Sequence, residues 1–236
     1  LVLVAPQVWA GLGLMSKPSD PMKPKLSAFI DESDDSANRE APVYVLAAVV
    51  VPGRVQVARE SLLEATTATE YHTTELYRSG KHEAITAMLG SVLALHETSV
   101  VVAHVPYQRA TEAARQSCLE TLAIELNALG VLHMTADDRQ LPFAGNRRDR
   151  MRPNTNDLAT IRKLRDTGRV HKDMELQHRA DKWEQLLWLP DAVAWCARRH
   201  LSEGDSEHWQ TVEMACHVVT LNSAGDVASR HRPTSQ

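Results

Sequence analysis

The 236-residue chain contains only three cysteines, Cys118, Cys196 and Cys216, and none stands in a CxxC spacing. An odd number of widely separated thiols argues against a disulfide framework and against a cysteine-based zinc site. It fits a reducing cytoplasm, with each thiol serving as a small buried hydrophobe. An excess of charge is missing too: 26 basic residues face 30 acidic ones, for a net of -4. No global field therefore draws the chain to nucleic acid or to an anionic membrane, and any such binding has to come from a local patch. The chain also has no apolar run of spanning length. Its best candidate, LVLVAPQVWAGLGLM at residues 1–15, is too short, and no basic segment precedes it as in a signal peptide. No HExxH pattern, internal repeat or low-complexity block is present. What the composition does supply is 43% hydrophobic residues, enough for the core of one large domain.

Periodicity divides the chain into alternating strands and helices. Leu26 to Ile30 and Val43 to Val51 read as strands; the second is almost wholly apolar, as for a strand covered on both faces, and Pro52-Gly53 ends it. Helical stripes follow at Val55, Ala58 and Leu62, and at Ile85, Met88, Leu89 and Val92. TSVVVAHVP is a buried strand, Gln108 to Leu129 a long helix stopped by Gly130, and VLHMTADDR a further strand. Asn156 to Asp166 reads as a helix that stops at Gly168. DMELQHRAD reads as a half-exposed strand with Met174, Leu176 and His178 on one side, and EQLLWLPDAVAWCARRH as a helix. The expectation is an α/β layer with a mostly parallel sheet of about five strands, its first two forming an antiparallel hairpin. Met22 opens MKPKLSAFIDES just before the first strand, so residues 1–21 are expected to lie outside the fold. The domain is expected over 22–201, with 202–236 a C-terminal extension ending in a disordered tail.

Active sites of such sheets gather where strands end, and two strands here run straight into acids: Asp31 and Glu32, with Asp34, Asp35 and Glu40 close behind, and then Asp137 and Asp138. Carboxylates beside apolar strands are costly unless something positive satisfies them, and a hard divalent cation does so while supporting phosphoryl chemistry. Strand alternation sends Asp137 and Asp138 to opposite faces, so at most one of them joins Asp31; Asp138 is taken as that residue. Asp191 opens a helix, where it serves either as a ligand or as a partner of the helix dipole and its free amides.

The stretch FIDES followed by YVLAAVVV, the segments HTTEL, DDRQ and IRKLRDTG, and the helix LLWLPDAVAWCARR resemble the uncharacterised bacterial family known as domain of unknown function 3800. That family is similar to the ribonuclease H-like superfamily. The resemblance runs from about residue 27 to residue 200. It implies a ribonuclease H-like mixed sheet flanked by helices, with a strand-end Asp, further acids and a late helical Asp holding Mg²⁺ or Mn²⁺ for phosphodiester cleavage. Residue by residue it points to Asp31, Glu32, Glu75, Asp138 and Asp191, with Asp31, Asp138 and Asp191 as metal ligands. The family usually carries glycine where this chain has Asp34, which brings the geometry of that turn into question.

Ten bases occupy Arg139 to Lys172 against Asp149, Asp157 and Asp166, a local balance of +7. Arg139, Arg147, Arg148, Arg150, Arg162 and Arg165 are thus candidates for phosphate contacts beside the metal site, or else form a solvated face with salt bridges along the helix. Trp183, Trp188 and Trp195 read either as a stacking platform for bases or as packing for the last helix. His72, Glu75 and His82 read as surface helix residues rather than a zinc site. The expected protein is a cytoplasmic, metal-dependent nuclease that does not engage a membrane. Its alternatives are a non-catalytic module binding nucleic acid or protein, and a metal-dependent hydrolase of small phosphorylated molecules.

Overall fold

In the computed structural model, residues 25–35, 42–66, 70–106, 111–139 and 152–232 are described. The expectations placed on residues 1–21 and on Glu40, Arg147, Arg148, Arg150 and the last four residues lie outside that set. Seven strands form one mixed sheet: β1 (Leu26–Asp34), β2 (Tyr44–Pro52), β3 (Thr98–His104), β4 (His133–Asp137), β5 (Glu175–Arg179), β6 (Cys216–Leu221) and β7 (Val227–His231). Their order is β5-β4-β1-β2-β3-β6-β7. The hairpin of β1 with β2 is antiparallel, as are β2 with β3 and β6 with β7. β1 with β4, β4 with β5 and β3 with β6 are parallel.

Helices cover both faces of this sheet. Val49, Ala47 and Val45 of β2 point to one side with Phe29 and Val101. There they meet α1 (Val55–Ala65), α2 (Thr73–Arg78), α3 (His82–Leu95), α6 (Trp188–Glu203) and α7 (Trp209–Val212). Val50, Ala48 and Leu46 point to the other side with Ala28, Ile30 and Met134, against α4 (Thr111–Ala128) and α5 (Arg152–Asp166). The two-residue period of the strand thus explains why β2 has to be apolar throughout: each face feeds a separate core. Gly130, Gly168 and Gly204 take positive φ just beyond α4, α5 and α6, the left-handed conformation that ends a helix and that glycine adopts without Cβ strain. No helix of the described residues is long and apolar enough to cross a membrane.

Three expectations change. The sheet is mixed and not mostly parallel, with three parallel and three antiparallel strand pairs. The acids after Ile30 are not in the turn: β1 continues through Asp31, Glu32 and Ser33 to Asp34, paired residue for residue with β2. Asp34 is extended and opposite Tyr44, and no non-glycine residue among those described has positive φ, so nothing at that position demands glycine. The sheet also has seven strands rather than about five, because the region after Ser202 is structured. It supplies α7, β6 and β7, and β6 lies in the interior of the sheet between β3 and β7. Its weak periodicity misleads because a strand of six residues carries few repeats of its pattern.

Trp209, Val212, Cys216, Val219 and Leu221 are all buried. Truncation after Gly204 is therefore expected to remove more than about 5 kcal/mol of packing, comparable to the whole stability of a domain. Loss of a cooperative thermal transition in the truncated chain checks this; retention of the parent Tm would assign residues 205–236 to an appendage.

Candidate functional site

Because β1 alternates, Asp31 and Glu32 are sent to opposite faces of the sheet, and their surroundings differ completely. Glu32 faces α4 and α5. Its carboxylate is ion-paired to Arg115, and its Oε1 lies 3.0 Å from Arg139 Nε. Arg115 is fully buried and also donates to both carboxylate oxygens of Asp157, through Nε at 3.0 and 3.2 Å and Nη2 at 2.7 Å, and to the hydroxyl of Tyr44 at 3.2 Å. His178 Nε2 lies 3.1 Å from Asp157 Oδ2. Burial alone would raise the pKa of Asp157. The hydrogen bonds from His178 and Arg115, with the charges of Arg115 and Arg139, outweigh it and hold the carboxyl at about 2. Arg139 completes the network through Glu112 at 3.3 Å, so it is committed to carboxylates and is not a free phosphate contact.

On the other face the partners are acids. Asp31 is pushed well up, first by desolvation and then by the charges of Asp191, Glu32 and Asp137; only the amide of Glu32, donating to Oδ1 at 2.8 Å, opposes this. Asp137 ends β4. The parallel register pairs Ile30 with Ala136, which brings Asp137 beside Asp31 on the same face. Burial, with Asp181 and Glu32 adding to it, pushes Asp137 up to about 6. Asp191, in the first turn of α6, is raised by burial against hydrogen bonds from Thr73, whose amide and hydroxyl reach Oδ2 at 2.9 and 2.8 Å. Asp191 thus caps the start of α2 rather than of its own helix. In Asp31 and Asp191 alike, one oxygen is anchored, and no hydrogen bond to a described residue occupies the other.

The alternation that separates Asp31 from Glu32 also separates Asp137 from Asp138, and it overturns the choice of Asp138. That residue faces the α4 and α5 side, where Asn154 Nδ2 donates to its Oδ1 at 2.7 Å. Glu75 is exposed on α2 and is not among the groups that shift Asp31. Asp181 joins the cluster unforeseen: its amide donates to Asp137 Oδ1 at 3.2 Å, and its carboxylate lies 3.7 Å from His72 Nε2. Arg198 of α6 approaches the same face but goes to Ser33 and Asp35.

Hard oxygen donors fit Mg²⁺ or Mn²⁺ by type. Asp31, Asp137 and Asp191 nevertheless do not form a trio of ligand atoms that all lie within 4.8 Å of one another. Among the described residues, the grouping of three ligand atoms within 4.8 Å of one another is His82, Glu207 and His208, on a different part of the molecule.

The rest of the basic segment is divided. Lys163 and Arg169 both bridge to Glu120, at 3.0 and 3.1 Å. Arg162 and Arg165 line a groove of about 320 Å³ between α5 and β5, together with His133 and Gln177. A second groove, of about 430 Å³, lies on the sheet face that carries Asp31 and Asp137, but over Ser27, Phe29, His133 and Thr135 at the start of β1 and β4 and not over those two acids; it is bordered by Arg59, Arg179 and Trp183. Trp188 and Trp195 are packed in the core, whereas Trp183 is 74% exposed at the edge of this groove. Packing of the last helix is thus the role of Trp188 and Trp195, and Trp183 is not part of it.

Comparison of the chain with protein-family models and with curated proteins gives no match.

Two variants separate the faces. Arg115→Met leaves Glu32 and Asp157 without their buried cation and is expected to cost about 3–5 kcal/mol, read as a fall in the denaturant midpoint. Asp137→Asn has the opposite sign. A carboxyl whose folded pKa of about 6 exceeds its unfolded value contributes stability at low pH and loses it as pH rises through about 6. Above that pH the variant is expected to exceed the parent by about 1 kcal/mol, the full linkage value being reduced because the group is partly open to water. The advantage should shrink as pH falls through about 6 and vanish only below the unfolded value near 3.8, where the group is protonated in both states. A difference in Tm that does not change with pH would refute the acid cluster.

Proposed function

We propose that the chain is a metal-dependent phosphodiester hydrolase of nucleic acid, on a ribonuclease H-like α/β fold, with Asp31, Asp137 and Asp191 as the residues that hold Mg²⁺ or Mn²⁺. The observation that carries this reading is the contrast between two adjacent residues of β1. Glu32 has its carboxylate neutralised by two arginines, while the strongest charged neighbours of Asp31 are acids. Such crowding is unfavourable in the absence of a counter-charge and is relieved by a divalent cation. The resemblance of FIDES and LLWLPDAVAWCARR to the domain of unknown function 3800 family points to the same strand-end and helical aspartates.

A bound ion would supply an activated water and charge stabilisation for the pentavalent phosphoryl oxyanion. The chain's own residues do the positioning. Thr73 holds Asp191 by two hydrogen bonds, and the amide of Glu32 orients Asp31. The open groove along β1 and β4, rather than a closed pocket, suits a polymer more than a small phosphorylated molecule, and Trp183 offers a base a stacking surface at its edge. That the three aspartates do not form a trio of ligand atoms within 4.8 Å of one another favours the second reading, a nucleic-acid-binding module without catalysis.

Calorimetric titration with Mn²⁺ distinguishes them. The parent should bind more tightly at pH about 7.5 than at about 5.5, because the raised carboxyls must lose their protons, and Asp31→Asn and Asp191→Asn should not bind at all. Asp138→Asn should bind as the parent does. Undiminished Mn²⁺ binding in the first two variants removes the metal-site assignment. Metal binding by the parent without cleavage of RNA or DNA leaves the binding module.

The positive segment has its own test. Replacing Arg147, Arg148 and Arg150 by Ala should weaken nucleic-acid binding and reduce the slope of affinity against salt by about two to three, roughly one for each phosphate no longer neutralised. An unchanged slope would make the segment a solvated face.

A further inference from the structure

We propose that His82, Glu207 and His208 form a zinc site that ties α3 to the turn between α6 and α7, independent of the carboxylates of the sheet. His82 Nδ1 and His208 Nε2 face each other at 3.4 Å. Two imidazole nitrogens bound about 2.0–2.1 Å from a tetrahedral zinc stand about 3.3–3.4 Å apart, so the rings already have the span that a shared ion requires. A carboxylate oxygen of Glu207 completes the group, with all three ligand atoms within 4.8 Å of one another.

The backbone explains the convergence. His82 is the first residue of α3, Gly204 turns the chain out of α6, and the turn at Glu207 and His208 immediately precedes α7. The ring planes lie 19° apart with centroids at 5.7 Å, so the rings meet edge to edge with their nitrogens facing, and Tyr77 edge-on to His82 and Trp195 against His208 pack them on the core. Arg199, the cation that lies over Tyr77 and Trp195, is offset by Asp205 at 2.7 Å and Glu203 at 2.8 Å. His208 is buried and Glu207 is exposed, which leaves the fourth position of a tetrahedron to water. Two imidazoles and one carboxylate select a borderline ion such as zinc, whereas Mg²⁺ and Mn²⁺ prefer an all-oxygen shell. The chain also gains something specific: α3 and the segment leading to β6 are distant in sequence, and one ion would crosslink them.

Co²⁺ is the probe, since its visible d–d absorption reports tetrahedral coordination and zinc then displaces it. The full chain should bind one Co²⁺ with that absorption and lose the signal on addition of zinc, and saturating zinc should raise its Tm. His82→Ala and Glu207→Gln alter groups that are not fully buried and are expected to fold. Each should weaken zinc binding by at least about a hundredfold, since even the partners of metal ligands contribute about 10–100-fold. Their metal-free Tm is expected to stay close to the parent's, while the zinc-induced increase disappears. Asp31→Asn should bind Co²⁺ as the parent does, which makes a failure here distinguishable from failure of the nuclease reading. Absence of tetrahedral Co²⁺ absorption in the parent, or equal affinity in His82→Ala, would overturn the site and leave a hydrogen bond between two histidines.

Discussion

Arg115 is the buried cation around which one end of the sheet is organised. A guanidinium with 1% exposure is tolerable only because Glu32, Asp157 and Tyr44 accept from it, and those three come from β1, α5 and β2. The network therefore fixes where α4 and α5 sit against the hairpin. It also keeps Asp157 ionised down to about pH 2, so its contribution persists at every pH at which the acids on the other face titrate. Removal of any one member strands the rest in a medium of low dielectric, so the members hold their positions as a unit.

The opposite face follows the reverse logic. Asp31, Asp137 and Asp191 are brought together by backbone features that none of them creates: the parallel register of β1 with β4, and the packing of α6 beneath the hairpin. Their mutual repulsion is tolerated because the surrounding sheet is strongly determined by β2, whose side chains serve two cores at once. A site that opposes its own stability needs such a scaffold, and rigid strands hold it more firmly than loops do.

Much of this is legible in the sequence. The apolar β2, the hairpin, the parallel strands ending in acids, and the helix beginning near Asp191 all follow from periodicity and turn chemistry. The choice between Asp137 and Asp138 does not, because alternation fixes only that they differ in face; the register of β4 against β1 decides which one meets Asp31. Arg115 does leave a signal. It lies on the buried stripe Leu119, Leu122 and Leu126 of α4, and an arginine in an apolar stripe implies a buried carboxylate elsewhere. His82 and His208 are illegible as a pair, since only the return of the chain after Gly204 brings them together.

The parallel pairing of β6 with β3 has a consequence for how the chain is made. Val100 is laid beside His217, so during synthesis one edge of β3 stays without its partner until β6 has left the ribosome, long after β3 itself. The first five strands can pair earlier, yet they would present an apolar, unsatisfied edge to the cell for that interval. Completion of the sheet is a late, long-range step governed by loop closure rather than by local propensity.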